Sequence, residues 1–151
     1  MNLMKEKYII LEIIPTAISP DKGEIIQLSA LKIEGIKLID RFDYRLNEDL
    51  IAHPDFKDMI SYDKESFTYK DTTKEILEDF KTWIGNLPLL IIDNLYTENF
   101  LKSITNKKES IFNYLDTKYN DNIIEELIKE YNIEPTNYIV DILYESLIKH
   151  L

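Results

Sequence analysis

Polar residues interrupt or end apolar segments of this chain at two places, and such positions are candidates for chemistry. Glu12 lies within the nearly all-apolar stretch 8–14. Burying an unpaired carboxylate costs free energy, so Glu12 is expected at a sheet end or beside a hydrogen-bonding partner. Asp93 and Asn94 follow the apolar stretch 87–92. Ligands bind at the carboxyl ends of strands in open α/β sheets, although these two residues can equally cap a following helix.

Several common catalytic signatures are missing from the sequence. The chain has no Cys, which excludes disulfides, Cys-ligated zinc and a Cys nucleophile. It has no Gly-rich phosphate loop, no G-x-S-x-G elbow and no H-E-x-x-H helix. His53 and His150 are far apart in the sequence and do not indicate a pair. The chemistry that remains is that of carboxylates, amides and hydroxyls.

Composition indicates one globular domain over residues 1–151, with 44% hydrophobic and 30% charged residues. The formal net charge of −10 argues against a broad basic face that grips nucleic acid, because neutralising phosphates requires Lys and Arg. It favours a protein partner or an acidic metal-dependent site. No apolar stretch is long enough to span a membrane and no signal peptide is recognisable, so we expect a cytoplasmic protein. The oligomeric state stays open.

The order of predicted elements indicates the fold class. Three strands joined by short turns form an antiparallel meander, because a parallel return needs a longer crossover. Helices and two further strands follow, which predicts an α/β fold with a mixed sheet of about five strands flanked by helices. The predicted strands are 8–14, 24–33, 36–46, 87–92 and 110–115, the helices are 71–85, 97–104, 122–131 and 137–151, and 47–70 is a loop.

A series of motifs follows along nearly the whole chain. The motifs are IIQLSALK at 25–32, IDRF at 39–42, FKTWIG at 80–85, Asn94 with Phe100 and Leu101, Asp116-Thr117, and Asp141 in the last helix. In their order and spacing they resemble the DnaQ-type 3′–5′ exonuclease family. The resemblance implies a ribonuclease H-like fold.

The family's chemistry identifies candidate site residues by their alignment. Its members hydrolyse phosphodiesters with two divalent cations, Mg²⁺ or Mn²⁺, held by four carboxylates. Glu12 aligns with the first acid and Asp141 with the last. The third acid aligns with Glu98 when counted from Asn94, or with Thr97 when counted back from Phe100 and Leu101. Thr16, Asp93 and Asn94 align with substrate-binding positions, and any metal would be held by Glu12 and Asp141. Glu98 is most simply explained as a first-turn helix residue. Asp141 is explained as a solvated helical residue unless its match to the family's last acid is given weight.

The sequence departs from the family at the remaining catalytic positions. Ile14 stands where the second acid belongs, and an aliphatic side chain coordinates nothing. Thr136 replaces the family's His, and Asn137 stands at the alternative Tyr position. Of the five catalytic positions, only Asp141 is unchanged, so the metal site is expected to be broken.

Three functions follow from these features. The favoured one is a catalytically inactive pseudo-exonuclease without a cofactor, which binds a protein more readily than free DNA; single-stranded nucleic acid or a nucleotide is the other candidate ligand. The second is a divergent 3′–5′ exonuclease that uses Glu12, Glu98 and Asp141 with Mg²⁺ or Mn²⁺. The third is an unrelated α/β structural or interaction protein.

Overall fold

The structure is a computed structural model that describes residues 1–47, 67–136 and 138–151. Within these ranges the chain forms six strands and four α-helices, with short 3-10 turns at Leu3–Lys5 and Ile111–Asn113. The strands are β1 (Lys7–Pro15), β2 (Ile25–Glu34), β3 (Lys37–Leu46), β4 (Thr68–Lys70), β5 (Leu89–Ile91) and β6 (Lys108–Ser110). The helices are α1 (Thr73–Ile84), α2 (Leu95–Leu101), α3 (Ile123–Glu130) and α4 (Ile139–His150).

All six strands belong to one mixed sheet in the order β4-β3-β2-β1-β5-β6. β1, β2 and β3 form an antiparallel meander, whereas β4, β5 and β6 pair in parallel with their neighbours. The tight turn between β2 and β3 uses Gly35 with a φ of +64°, a conformation that other residues rarely adopt. The predicted α/β class and the opening meander are confirmed, and the architecture is that of a ribonuclease H-like fold.

Two predictions about the strands are wrong in detail. The predicted strand 110–115 is instead β6, which ends at Ser110, because the Ser110 hydroxyl accepts a hydrogen bond from the Phe112 N–H and starts a 3-10 turn. Part of the predicted loop 47–70 is β4, which pairs with the end of β3. Residues 48–66 of that loop lie outside the described residues.

Two hydrophobic cores lie on the two faces of the sheet. One core, between the sheet and α1 and α2, includes Ile9, Leu11, Phe80 and Phe100. The other, between the sheet and α3 and α4, includes Tyr8, Ile10, Leu127 and Leu143. Alternate residues of a strand point to opposite faces, so β1 fills both cores and has little need of polar residues. The same alternation directs Glu12 towards the α4 face.

Each helix begins close to its predicted start. The Thr72 hydroxyl caps α1 by accepting from the Glu75 N–H, and Gly85 follows the helix with a φ of +56°. The Asn94 side chain caps α2, which therefore begins two residues earlier than the sequence pattern indicates. α4 begins at Ile139, just after Asn137, which is not among the described residues. In the described ranges, no helix is both long and apolar enough to cross a lipid bilayer.

Candidate functional site

A row of polar residues crosses the first three strands on the face covered by α4. The register places Glu12 of β1 opposite Ser29 of β2, and Ser29 opposite Asp43 of β3. Directly paired residues of antiparallel strands point to the same face. Glu12, Ser29 and Asp43 therefore form one cross-strand line, which we call the central row. The first turn of α4 brings Asp141 to this row, so the structure places Glu12 and Asp141 in one site.

Glu12 is a buried carboxyl group. Its residue is 7% exposed, and its Oε1 atom is buried without a hydrogen-bond partner among the described residues. The pKa of Glu12 is raised to about 8, mainly by burial and also by the negative charges of Asp141 and Asp43, while the hydrogen bond from the Ile139 backbone N–H acts in the opposite direction. A carboxyl group with this pKa is mostly protonated at neutral pH. The central row therefore contains a neutral acid in place of a third negative charge.

Asp141 is fully engaged by an arginine. Arg41 Nη1 donates to Asp141 Oδ1 at 2.7 Å and Nη2 donates to Oδ2 at 3.2 Å. Arg41 Nε also donates to Asp43 Oδ2 at 3.1 Å. Hydrogen bonding to Asp141 is the main reason that the pKa of Arg41 lies above its ordinary value. One guanidinium thus links β3 to α4 through a two-pronged ion pair, the strongest geometry that such a pair adopts.

A second arginine lies further along the same face of β3. Arg45 is 1% exposed, and its Nε donates to Gln27 Oε1 at 2.9 Å. The Gln27 amide in turn donates to Ser29 Oγ at 3.1 Å. The Arg45 guanidinium lies 3.7 Å from the centre of the Phe67 ring, and its Nη2 atom is buried with no hydrogen-bond partner in the part of the chain that the structure describes. This chain of contacts connects Arg45 to the central row without an ion pair to its carboxylates.

These residues do not fit a pair of divalent cations. Ile14, two residues after Glu12 on β1, carries no oxygen ligand and packs partly against the first hydrophobic core. Both oxygens of Asp141 are bound to Arg41, and Glu12 is mostly protonated. Across the three described ranges, no group of three or more His, Asp or Glu side chains is placed to hold a metal ion. The described residues therefore present no ligand set for a pair of divalent cations.

The other candidate carboxylate and the position of the family's histidine lie apart from the central row. Glu98 is exposed in the first turn of α2, a helix that packs against the opposite face of the sheet. Thr136 is exposed and its hydroxyl accepts from the Tyr138 N–H at 3.3 Å. The structure therefore unites Glu12 with Asp141 and leaves Glu98 outside.

The three candidate substrate-binding residues have structural contacts. The Thr16 hydroxyl accepts from the Glu24 N–H at 2.8 Å across the turn after β1. Asp93 accepts from the Ser110 hydroxyl at 2.7 Å, and Asn94 accepts from the Thr97 N–H at 2.9 Å as the cap of α2. These contacts explain the local structure without a ligand, and they leave the predicted role in binding as a prediction.

A cleft of about 430 Å³ lies at the carboxyl end of β1. Its walls include Glu12, Ile14, Ile92, Tyr96 and Ile139. Most of the lining is apolar, and none of the described residues that line it is Lys or Arg. The volume is within the range of small-ligand sites, but the lining offers no cation to a phosphate.

Sequence reasoning missed three members of this site: Arg41, Asp43 and Arg45. A signal was present, because charged residues at every second position of a predicted strand share one face. In the resemblance to the family, Arg41 belongs only to the strand motif at 39–42, and Asp43 and Arg45 match none of the family's motif positions.

Comparisons with known proteins found distant similarity to a DNA polymerase, and no family model matches the chain. The chain is 26% identical over 100 residues to the protein named DNA polymerase III PolC-type of Oceanobacillus iheyensis, which covers 66% of this chain and 7% of that protein. It is 22% identical over 149 residues to the protein of the same name from Staphylococcus saprophyticus, which covers 91% of this chain and 10% of that protein. The chain thus spans at most a tenth of the length of these curated relatives. The similarity is in keeping with an exonuclease-like domain.

Proposed function

We propose that the chain is a DnaQ-type exonuclease-like domain that binds a partner and does not cleave phosphodiester bonds. Three observations support an exonuclease-like domain: the order of the family's motifs along the sequence, the ribonuclease H-like fold, and the distant similarity to PolC-type DNA polymerase III. The distant similarity is to proteins whose name is that of a DNA polymerase. Their polymerase activity is not proposed for this chain, which matches only a small part of them.

Ile14 is the observation that carries the proposal. In a two-cation site, carboxylates must bridge or hold both ions, and the second acid of the first strand belongs at this position by the family's frame. At the end of β1, Ile14 lines the cleft together with Glu12, and its side chain also packs partly against the first hydrophobic core. A hydrocarbon group there removes a ligand and lowers the polarity of the place where cations would bind. Cleavage is expected to be absent or feeble.

A protein partner is favoured over free DNA. The chain has a net charge of −10, and the described lining of the cleft contains no Lys or Arg. Backbone phosphates would meet no counter-charge there, whereas an uncharged or basic protein segment would meet no repulsion. Single-stranded nucleic acid or a nucleotide is the less favoured ligand.

The divergent exonuclease is the competing function, because Glu12 and Asp141 do lie in one site. The test incubates the pure protein with a 3′-labelled single-stranded oligonucleotide and either Mg²⁺ or Mn²⁺. Asp141→Asn removes one charge from the site, and Asp121→Asn makes the same change at an exposed residue before α3. We expect no nucleotide release above buffer from any of the three proteins. Release by the wild type and by Asp121→Asn, but not by Asp141→Asn, would establish the competing function.

A further inference from the structure

We propose that Arg41 is an internal counter-ion that takes the place of a divalent cation between Asp43 and Asp141. This inference rests on the proposed function, because it explains how the site keeps its remaining carboxylates without a metal. The fold family implies a cation site at this face of the sheet, and the residues present do not fit one. The structure instead assigns a covalently attached guanidinium to the position that both aspartates share.

Arg41 donates hydrogen bonds to both aspartates. Its Nη1 and Nη2 atoms bind the two oxygens of Asp141 at 2.7 and 3.2 Å, and its Nε atom binds Asp43 Oδ2 at 3.1 Å. Each carboxylate therefore faces the same positive group from a different element, β3 or α4. Divalent cations hold carboxylates from separate elements together in the same manner. In the described part of the chain, Asp43 and Asp141 form ion pairs with Arg41 alone.

The burial of the carboxylates explains why a cation is needed. The Asp43 side chain is 8% exposed, and its second oxygen, Oδ1, is buried with no hydrogen-bond partner within 1–47, 67–136 and 138–151. Within the same ranges, the buried Glu12 adds a further oxygen without a partner to this row. Carboxylates withdrawn from water require a positive partner, or else they must take up a proton. Arg45 cannot supply that charge, because its guanidinium hydrogen-bonds to Gln27 and lies against Phe67.

A guanidinium attached to the chain has a practical consequence. It is always present at the site at a high effective concentration, and a chelator cannot remove it. The wild-type protein is therefore expected not to bind added divalent cations at Asp43 and Asp141. Removing the positive charge while keeping the polar side chain leaves two carboxylates that face a common space. Two carboxylates completed by water molecules are a sufficient ligand set for Mg²⁺ or Mn²⁺.

Mn²⁺ binding by electron paramagnetic resonance tests the inference without nucleic acid. The proteins are the wild type, Arg41→Gln, Arg41→Lys and the control Lys22→Gln, which loses the same charge at an exposed residue between β1 and β2. We expect one Mn²⁺ site in Arg41→Gln with an affinity at least about tenfold above that of the other three proteins. The double variant Arg41→Gln/Asp141→Asn is expected to lose this gain.

Two results would overturn the inference. One is a folded Arg41→Gln protein that binds Mn²⁺ no better than Lys22→Gln. The other is a wild type in which Mn²⁺ broadens the NMR signals of Asp43 and Asp141. Should Arg41→Gln be unfolded in EDTA, added Mn²⁺ is expected to raise its unfolding midpoint, and no rise would also count against the inference. Nucleotide release by the wild type would overturn the proposed function instead, so the two failures are distinguishable.

Discussion

Arg41 on β3 and Asp141 on α4 are joined by two nearly parallel hydrogen bonds of 2.7 and 3.2 Å, although 100 positions separate them in the sequence. This pair fixes the first turn of the last helix against the meander, directly over Glu12. The residue that aligns with the family's last acid therefore has a structural role in this protein. Its contribution to stability and its effect on chemistry can be measured separately.

Arg41→Ala is expected to destabilise the fold, because it leaves Asp43 as a buried carboxylate without a positive partner. The Arg41 side chain is 37% exposed, so we expect a loss of about 1–2 kcal/mol in the free energy of unfolding, below the cost at a fully buried pair. Urea denaturation measures this loss, and Lys22→Ala serves as the exposed control. In a double-mutant cycle with Asp141→Ala, the coupling energy is expected to be about 1 kcal/mol. A coupling energy of zero would mean that the pair contributes nothing.

Because Glu12 is buried, its contribution to the free energy of unfolding is expected to fall as pH rises. Its pKa is about 8 in the folded protein, against an ordinary value of 4.5, so the folded state binds the proton more tightly. The Glu12 contribution is fully present below pH 4.5, is lost progressively between 4.5 and about 8, and changes little above that range. Glu12 alone can lower the free energy of unfolding by at most about 1.4 kcal/mol per pH unit.

Glu12→Gln isolates this contribution, because glutamine has nearly the same shape and does not titrate. Urea unfolding of both proteins at several pH values between 5 and 8 gives the difference in slope. We expect the wild type to lose stability relative to the variant across this interval. Parallel curves for the two proteins would mean that Glu12 is ionised throughout, contrary to its burial.

Asn94 separates a structural role from a binding role near the cleft. Its side chain accepts from the Thr97 N–H at 2.9 Å and caps α2. Asn94→Ala is expected to lower the free energy of unfolding by about 1 kcal/mol, whereas Asn94→Ser should retain most of the cap. Asn86→Ala, at an exposed position after α1, is the matched control. Circular dichroism during thermal melting gives the comparison, and equal melting temperatures for all variants would contradict the capping role.

Much of the fold could be predicted from the sequence because the signals are local. The apolar stretch of β1 and the short turns of the meander specify strands and their antiparallel pairing. β4 could not be predicted, because Thr68–Lys70 has no apolar pattern and pairs in parallel with a strand distant in sequence. The switch from β6 to a 3-10 turn depends on a single Ser110 hydroxyl, which no periodicity reports.

The site was predictable only in part, for a similar reason. The family's frame indicated that Glu12 and Asp141 belong together, and the structure places both at the central row. The family's motifs include no position at which a positively charged side chain of the protein itself replaces a metal ion. Recognising Arg41 as the partner of Asp141 requires knowing where α4 packs on the sheet, which is a tertiary relationship. The charged alternation of β3 indicates a polar face without identifying what lies above it.

Ile14→Asp tests whether the missing acid alone accounts for the proposed inactivity. We expect no nucleotide release from the single variant with an oligonucleotide and Mn²⁺, because Arg41 still binds both oxygens of Asp141. Ile14 is half-buried, so the new carboxylate should cost about 1–3 kcal/mol of stability, measured by urea denaturation. Ile36→Asp introduces the same charge at a residue that is 51% exposed and should cost less than about 0.5 kcal/mol.

The double variant Ile14→Asp/Arg41→Gln combines an added oxygen ligand with an Asp141 that is not bound to Arg41. The double variant is expected to bind Mn²⁺ more tightly than Arg41→Gln alone, because the new carboxylate adds a negative charge and an oxygen ligand to the cleft that Glu12 also lines. This comparison uses Mn²⁺ affinity as its measurement and so does not depend on recovered cleavage. Cleavage by the single variant Ile14→Asp would show instead that Arg41 yields its place readily to a cation, and that one side chain separates this site from an active one.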